Sequence, residues 1–559
     1  MPAARIQYDG VDEAVSKPRQ RDRFKANRAG FRRRALGLAA AASTLLAACT
    51  PDPEIGDVGF VEEGFAGVVS ADEPNAVRIG QEVLTRGGTA ADAAVAMSFS
   101  LAVTLPSRAS LNAGGACLHF YHPDETAESI AFPARATASG GVVPLMPRAM
   151  AVLHASGGSI RWEELVTPAE NLASFGHRAS RALLLDLQEA FNRGMRPNPE
   201  FAEIFLPGGR PLTEGDKLVQ GELAGVLSGI RLKGAGYLHS GSFPDRFAEA
   251  TSSIGLRLTA AEIRDALPLR QKPAPSVALG NDRLYLPQPP STSGIMTGQI
   301  ATMLLENGYD SAGPAERAHL LAEASLRALS SRTAWLGEGG QPGEPLENLL
   351  AESRAQQMFA TYDSGRKTAA ASLNPPPQRL PLDIDGTGFV IGDRYGNAVA
   401  CAFSMNNLFG IGLTAPGTGI VLAPPPSPQI KNGFPYPAVM IGNENTGRLS
   451  LAATSSGGPA APANLARVVL ETYEAEQPLQ EVVAAPRLVH VGQPDGVAHE
   501  AGLPEEIRAA LRNRGHELGE SPVFGRINGF YCPRGLRDDT ERCEAVTDPR
   551  GSGLSVRVQ

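Results

Sequence analysis

The chain has 559 residues, 42% of them hydrophobic and 20% charged, with a formal charge of -8. That balance suits a globular protein rather than a disordered one, and the length calls for two or three units or one large multilayer fold. No basic stripe crosses the body, which argues against a nucleic-acid partner; five cysteines without a CxxC pair, and no HExxH, give no case for a zinc site.

The first element is not part of the fold. Arg32, Arg33 and Arg34 precede an apolar run, Ala35 to Ala48, that ends Leu46-Ala47-Ala48-Cys49. A basic region, a short apolar region and small residues before a cut describe a signal peptide, and the run is too short to span a bilayer comfortably. Leu-Ala-Ala-Cys looks like a bacterial lipobox, in which the Cys49 thiol is lipidated. Residues 1–49 are therefore read as a signal peptide with lipobox and 50–64 as a linker. The expected location is the cell envelope or periplasm, with a soluble body tied to a membrane by lipid. In that oxidising compartment Cys532 and Cys543 are candidates for a disulfide around a charged, turn-like loop. Cys117 and Cys401 lie in apolar stretches and read as buried thiols.

Gly67 to Ser70 is a short strand. Asp72 and Pro74 then open a helix with Val77, Val83 and Leu84 as core positions and Gly87 at its end. Ala90 to Thr104 is apolar almost all round except Asp92, the mark of a helix buried inside a large fold, and Pro106 ends it. Helical patterns return at 168–191 and 315–335, and Pro375-Pro376-Pro377 marks a break. Strand-like runs follow at 389–391, 398–405 and 451–454, with further helices at 460–473 and 504–514. There is no internal repeat and no second hydrophobic span.

Several motifs in this order carry a family resemblance. Gly87-Gly88-Thr89-Ala90-Ala91-Asp92-Ala93-Ala94-Val95-Ala96 looks like the entry motif of the gamma-glutamyltransferase family, and Asn112-Ala113-Gly114-Gly115 stands where that family has a glycine loop. Pro289-Pro290-Ser291-Thr292-Ser293-Gly294, Ala322-Glu323-Ala324 and Arg332 to Gly337 resemble later family segments. Gly396-Asn397-Ala398-Val399-Ala400, Met405-Asn406, Phe409-Gly410 and Gly417-Thr418-Gly419-Ile420 resemble the start of its small subunit. Ser456-Gly457-Gly458 is similar to its Gly-Gly loop, and Asp548-Pro549-Arg550 sits where the family often ends. The resemblance implies an N-terminal-nucleophile hydrolase of α/β (α+β) class, a four-layer αββα sandwich. A large-subunit region, 65–386, and a small-subunit region, 387–559, would share one body and form a heterodimer after self-cleavage.

The resemblance further implies a gamma-glutamyltransferase-like enzyme: a Thr freed by that cut cleaves or transfers an acyl group, gamma-glutamyl among the candidates, from a small-molecule or peptide amide such as glutathione, without cofactor or metal. Its hydroxyl attacks the amide carbonyl and its own α-amine, of ordinary pKa about 7.7–8.0, serves as base. The candidate is Thr387 in Asp385-Gly386-Thr387-Gly388-Phe389. Backbone amides of Gly457 and Gly458, at a strand-to-helix turn, are the candidate oxyanion donors. Ser404 and Asn406 fall on family site positions and are candidate substrate-binding residues.

The chain also departs from the family. Counting back from Gly396-Asn397, the usual nucleophile position holds Gly386, so Thr387 is one residue late and its side chain is expected on the opposite face of the strand. Gly388 would then give the freed end room to turn. The Arg-Glu pair that holds a glutamyl group is replaced by Pro133 and Ala134, with Arg135 as a displaced carboxylate clamp. Ala423-Pro424-Pro425-Pro426 and Gly433-Phe434 replace other glutamate contacts. Glutathione is therefore not expected to be the best substrate. Two alternatives stay open: an uncleaved pseudoenzyme that binds peptides in the cell envelope, and a generic N-terminal-nucleophile acylase.

Overall fold

The computed structural model describes residues 64–380, 385–425, 435–522, 524–538 and 540–559. The signal peptide, Cys49, the linker up to residue 63, Pro426 and Gly433-Phe434 lie outside the described residues.

Thirteen strands among the described residues build two antiparallel sheets. In chain order these are β1 (Gly67–Ala71), β2 (Gly114–Tyr121), β3 (Thr126–Phe132), β4 (Leu269–Gln271), β5 (Ser276–Leu279), β6 (Asp282–Tyr285), β7 (Gly386–Asp393), β8 (Ala398–Ser404), β9 (Ala438–Gly442), β10 (Leu449–Ser455), β11 (Ile527–Tyr531), β12 (Glu544–Thr547) and β13 (Leu554–Val558). The first sheet has the order β13-β1-β7-β8-β2-β3-β4 and the second β12-β11-β10-β9-β6-β5. Both sheets draw strands from before and after Thr387, and β7, which carries it, pairs with β1 on one side and β8 on the other.

Alternation along each strand assigns its two faces to different layers. Val68, Leu118, Phe120, Val390, Ala398 and Ala400 meet Tyr285, Ala438, Met440, Ala452 and Phe530 between the sheets. The opposite face of the first sheet, with Val69, Ile130, Phe389, Ile391, Val399 and Phe403, packs on helices from the first half of the chain. Val439, Ile441, Leu451 and Ala453 of the second sheet face a separate helical layer. The result is helix, sheet, sheet, helix, the four-layer αββα sandwich.

The first helical layer includes α1 (Pro74–Thr85), α2 (Ala90–Thr104), α3 (Met146–Gly157), α4 (Trp162–Phe175), α5 (Arg181–Asn192) and α6 (Gly221–Lys233). Every residue of α2 is buried, and a capping box between Thr89 and Asp92 starts it. The helical pattern at 168–191 is two helices, because Gly176 takes φ 73° and ends α4. The outer layer on the second sheet includes α7 (Thr292–Glu306), α8 (Pro314–Trp335) and α9 (Ala461–Val468).

The cysteines correct one expectation. Cys532 and Cys543 are bonded, and Cys117 and Cys401 are not free thiols but form a second disulfide. They are direct cross-strand partners on β2 and β8, with Cα atoms 4.1 Å apart. That register was invisible in two apolar stretches 284 residues apart.

Candidate active site

Thr387 is the second residue of β7 and is 1% exposed. It pairs with Phe403 and lies on the same face as Phe389 and Ile391, toward the first helical layer. Gly386 and Gly388 therefore face the second sheet. A Cβ on Gly386 would lie 3.6 Å from Ser456 Cβ, and one on Gly388 only 2.6 Å from Thr454 Oγ1. Gly388 is thus required by close approach of the second sheet, a stronger reason than freedom to turn.

The Thr387 hydroxyl donates to Asp72 Oδ2 at 2.8 Å. Asp72 does not cap α1, as its position before Pro74 suggested. Glu73 takes that role, its carboxylate accepting the Ala76 amide. Asp72, 3% exposed, is thereby left for the start of β7. Its other oxygen accepts from Asn528 Nδ2 at 2.9 Å, and the same nitrogen donates to the Gly388 carbonyl at 3.1 Å. Asn528 Oδ1 accepts from Ser70 Oγ at 3.2 Å and from Thr547 Oγ1 at 2.8 Å, which fixes the orientation of the amide.

A second buried group reaches the same peptide. Arg108 Nε and Nη2 fork onto the two oxygens of Asp186, and Ser107 Oγ joins at 2.6 Å. The remaining nitrogen, Nη1, donates to the Gly386 carbonyl oxygen at 3.4 Å. Burial acts to lower the Arg108 pKa, but the carboxylates of Asp186, Asp72 and Asp385 outweigh it and leave the guanidinium more firmly protonated than usual. Just upstream, Arg193 donates to both oxygens of Asp385 at 3.0 Å. Burial pushes the Asp385 carboxyl above its ordinary range despite that partner. Arg526 also bears on this end of the sheet. Burial lowers its pKa, as does the charge of Arg108, while Asp72 raises it; its Nη1 is buried without a hydrogen bond among the described residues.

Across the first sheet, Gly386, Ser404 and Gly114 stand in one row facing the second sheet. Ser404 Oγ accepts the Asn406 amide at 2.9 Å, and Asn406 Nδ2 donates to the Pro424 carbonyl at 3.0 Å. The Ser456-Gly457-Gly458 turn leaves β10 beside this row. Gly457 and Gly458 take φ 110° and 55°, and a short 3-10 turn leads into α9. Among the described residues neither glycine amide donates a hydrogen bond to another group. Thr387, Ser404 and the Gly-Gly turn therefore converge on one strand end, with the Thr387 hydroxyl on the helix side and the turn on the sheet side. Arg135 is exposed, beyond the end of β3, and is not drawn into this network.

Sequence reasoning missed Asp72 in this role, Arg108, Asp186 and Asn528. Asp72 looked like a helix opener, and the other three carry no local pattern. One further cluster invites a metal: ligand atoms of buried His319, Glu323 and His516 lie within 4.8 Å of one another. The atoms that face one another are already engaged, however, although His516 Nδ1 is buried without a hydrogen bond among the described residues. His319 Nδ1 lies 2.8 Å from His516 Nε2, and Glu323 takes Arg327 and the Thr368 amide.

A candidate nucleophile at the head of a central strand, in an αββα sandwich, defines an N-terminal-nucleophile hydrolase. The model of the gamma-glutamyltranspeptidase family matches residues 76–142, 137–425 and 435–558, and the chain belongs to that family. It is an enzyme of the family's acyl-transferring, amide-cleaving kind. The glutathione hydrolase proenzyme of Bacillus subtilis (strain 168) is 26% identical, covering 89% of this chain and 92% of that one. The acylase ACY 1 proenzyme of Pseudomonas sp. (strain SE83) is also 26% identical, covering 86% and 93%. The crystal structure of cephalosporin acylase from Bacillus halodurans shares the fold, with a TM-score of 0.76 at 19% identity, over 92% of this chain and 99% of that one.

Proposed function

We propose that the chain is a precursor that cuts itself between Gly386 and Thr387, and that the freed Thr387 then cleaves or transfers an acyl group from a small-molecule or peptide amide. The single observation behind it is that both reacting groups of that peptide, the Thr387 hydroxyl and the Gly386 carbonyl, are held by buried charged side chains. In the precursor the hydroxyl faces Asp72. Once cut, Thr387 is held from one side only and turns about its Cα–C bond toward the Gly457-Gly458 amides, which take the oxyanion. Ser404 and Asn406 line the same strand end and orient the amide. The two subunits stay one body, since each sheet contains strands from both.

The acyl group differs from glutamyl. With Pro133 and Ala134 in place of an Arg-Glu pair, and Arg135 exposed, an α-carboxylate and α-amine find little to bind, so glutathione is a poor substrate and simpler acyl amides are better ones. Acylases among the relatives accord with this. The enzyme is exported and lipid-anchored through Cys49, a reading supported by the leader sequence and by two disulfides.

The test is the purified full chain on a reducing denaturing gel, mass spectrometry of any new N-terminus, and a panel of acyl amides that includes glutathione. A fragment beginning at Thr387, with turnover abolished in Thr387→Ala, is the expected result. A persistent single chain overturns it. Loss of membrane fractionation in Cys49→Ala checks the anchor.

A further inference from the structure

A buried threonine in a strand ordinarily satisfies its hydroxyl with a nearby carbonyl. Thr387 instead meets a carboxylate, and a carboxylate out of water is costly unless its oxygens are well occupied. Asn528 occupies one oxygen of Asp72 and leaves the other to Thr387. At the preceding carbonyl, Asp186 occupies two of the three nitrogens of Arg108 and leaves the third to the Gly386 oxygen. Two hydrogen-bonded networks thus orient one base onto the attacking hydroxyl and one cation onto the carbonyl oxygen of the Gly386–Thr387 peptide. Neither residue belongs to the motifs that carry the family resemblance.

We infer that Asp72 and Arg108 drive the cut before Thr387, Asp72 as the base that moves the hydroxyl proton and Arg108 as the donor that takes up charge on the Gly386 carbonyl oxygen. The inference rests on the Gly386–Thr387 junction proposed above.

Asp72 takes the proton from Thr387 Oγ, and that oxygen adds to the Gly386 carbonyl carbon. The negative charge formed on the carbonyl oxygen faces Arg108 Nη1. At 3.4 Å the contact is long for the resting carbonyl, and it shortens as charge develops there. The C–N bond then breaks, and its electron pair goes to the Thr387 nitrogen, which takes the proton back from Asp72. An ester now joins Gly386 to Thr387 Oγ. Water adds to that ester carbon, the threonine oxygen leaves with a proton, and the products are a Gly386 carboxylate and a free Thr387 amine with its hydroxyl restored. Asp72 ends as it began, so one carboxylate serves the whole acyl shift.

The experiment follows conversion of freshly made full-length chain on reducing gels, with the new N-terminus read by mass spectrometry. Thr387→Ala serves as the uncut reference for folding by thermal melting. Wild type is expected to yield a fragment beginning at Thr387. Asp72→Asn, melting like the reference, is expected to convert at least about 100-fold more slowly, within the span of general acid–base effects. Arg108→Lys, which keeps the charge and loses the fork, is expected to slow conversion about tenfold. Should Asp72→Asn not fold, Asp72→Ser keeps an acceptor for the hydroxyl, lacks the base, and carries the same decision. If wild type cuts before Thr387 and the Asp72 variants cut at the wild-type rate, this inference falls while the junction stands. If wild type is never cut, or is cut elsewhere, the junction and this inference fall together.

Discussion

Cys117 on β2 is bonded to Cys401 on β8, and the two cysteines lie on opposite sides of the Gly386–Thr387 peptide. The bond therefore ties the two fragments that a cut there produces. Without reductant, cut protein is expected to run as one species on a denaturing gel; with reductant it should resolve into two. Two bands without reductant would mean that this bond does not form. In the uncut precursor, replacing both cysteines with Ala should lower stability by about 2–5 kcal/mol, read by denaturant unfolding.

Gly458 takes φ 55°, a backbone region that a β-branched residue rarely enters. Gly458→Val should tilt the turn and move its amides off the position of an oxyanion. Turnover of any identified amide is expected to fall about 100–1000-fold, with conversion of the precursor little changed, since Arg108 rather than this turn serves that step. Steady-state kinetics on the cut variant decide it. Unchanged turnover in a folded Gly458→Val protein would remove the Gly457-Gly458 pair from the mechanism.

Asp186 lies far from Arg108 in sequence, yet it fixes the guanidinium with two hydrogen bonds. Asp186→Ala leaves a buried cation without its partner, which costs about 3–5 kcal/mol in comparable cases. A lower melting temperature and slower self-cleavage are expected together. Normal conversion in a destabilised Asp186→Ala protein would show that the orientation of Arg108 matters to the fold alone.

Two buried histidines set an acid limit. Burial lowers both His239 and His516 to about 4 from 6.5. Between those values the unfolded chain holds a proton on each that the folded chain does not. Stability should therefore fall as the pH drops from about 6.5 to 4, by at most about 1.4 kcal/mol per pH unit for each residue, and level off below. His239→Gln should flatten that part of the profile of melting temperature against pH. A profile equally steep in the variant would assign the acid loss to other groups.

The order of elements and the family were legible in the chain itself. Ala90 to Thr104 is apolar on every side, and a helix of that kind has no stable place except inside a multilayer fold; every residue of α2 is buried accordingly. The glycine pairs Gly114-Gly115, at the head of β2, and Gly457-Gly458, in the turn after β10, are written locally too, because close approach at the first and positive φ at the second exclude other side chains. The register of Thr387 was also local: counting from Gly396-Asn397 put its side chain opposite to Gly386, and the alternation of β7 holds it there. What only the tertiary structure decided is who meets that side chain. Asp72, Arg108, Asp186 and Asn528 come from four separate parts of the chain, and each by itself looks like an ordinary cap, surface cation, helix residue or strand residue. Charged and amide side chains acquire a role through partners that strand pairing and the packing of helices on sheets bring together from distant parts of the chain, as pairing does Cys117 and Cys401. Such contacts leave no periodicity in the sequence, because they are fixed by how whole strands and helices pack rather than by any residue's neighbours.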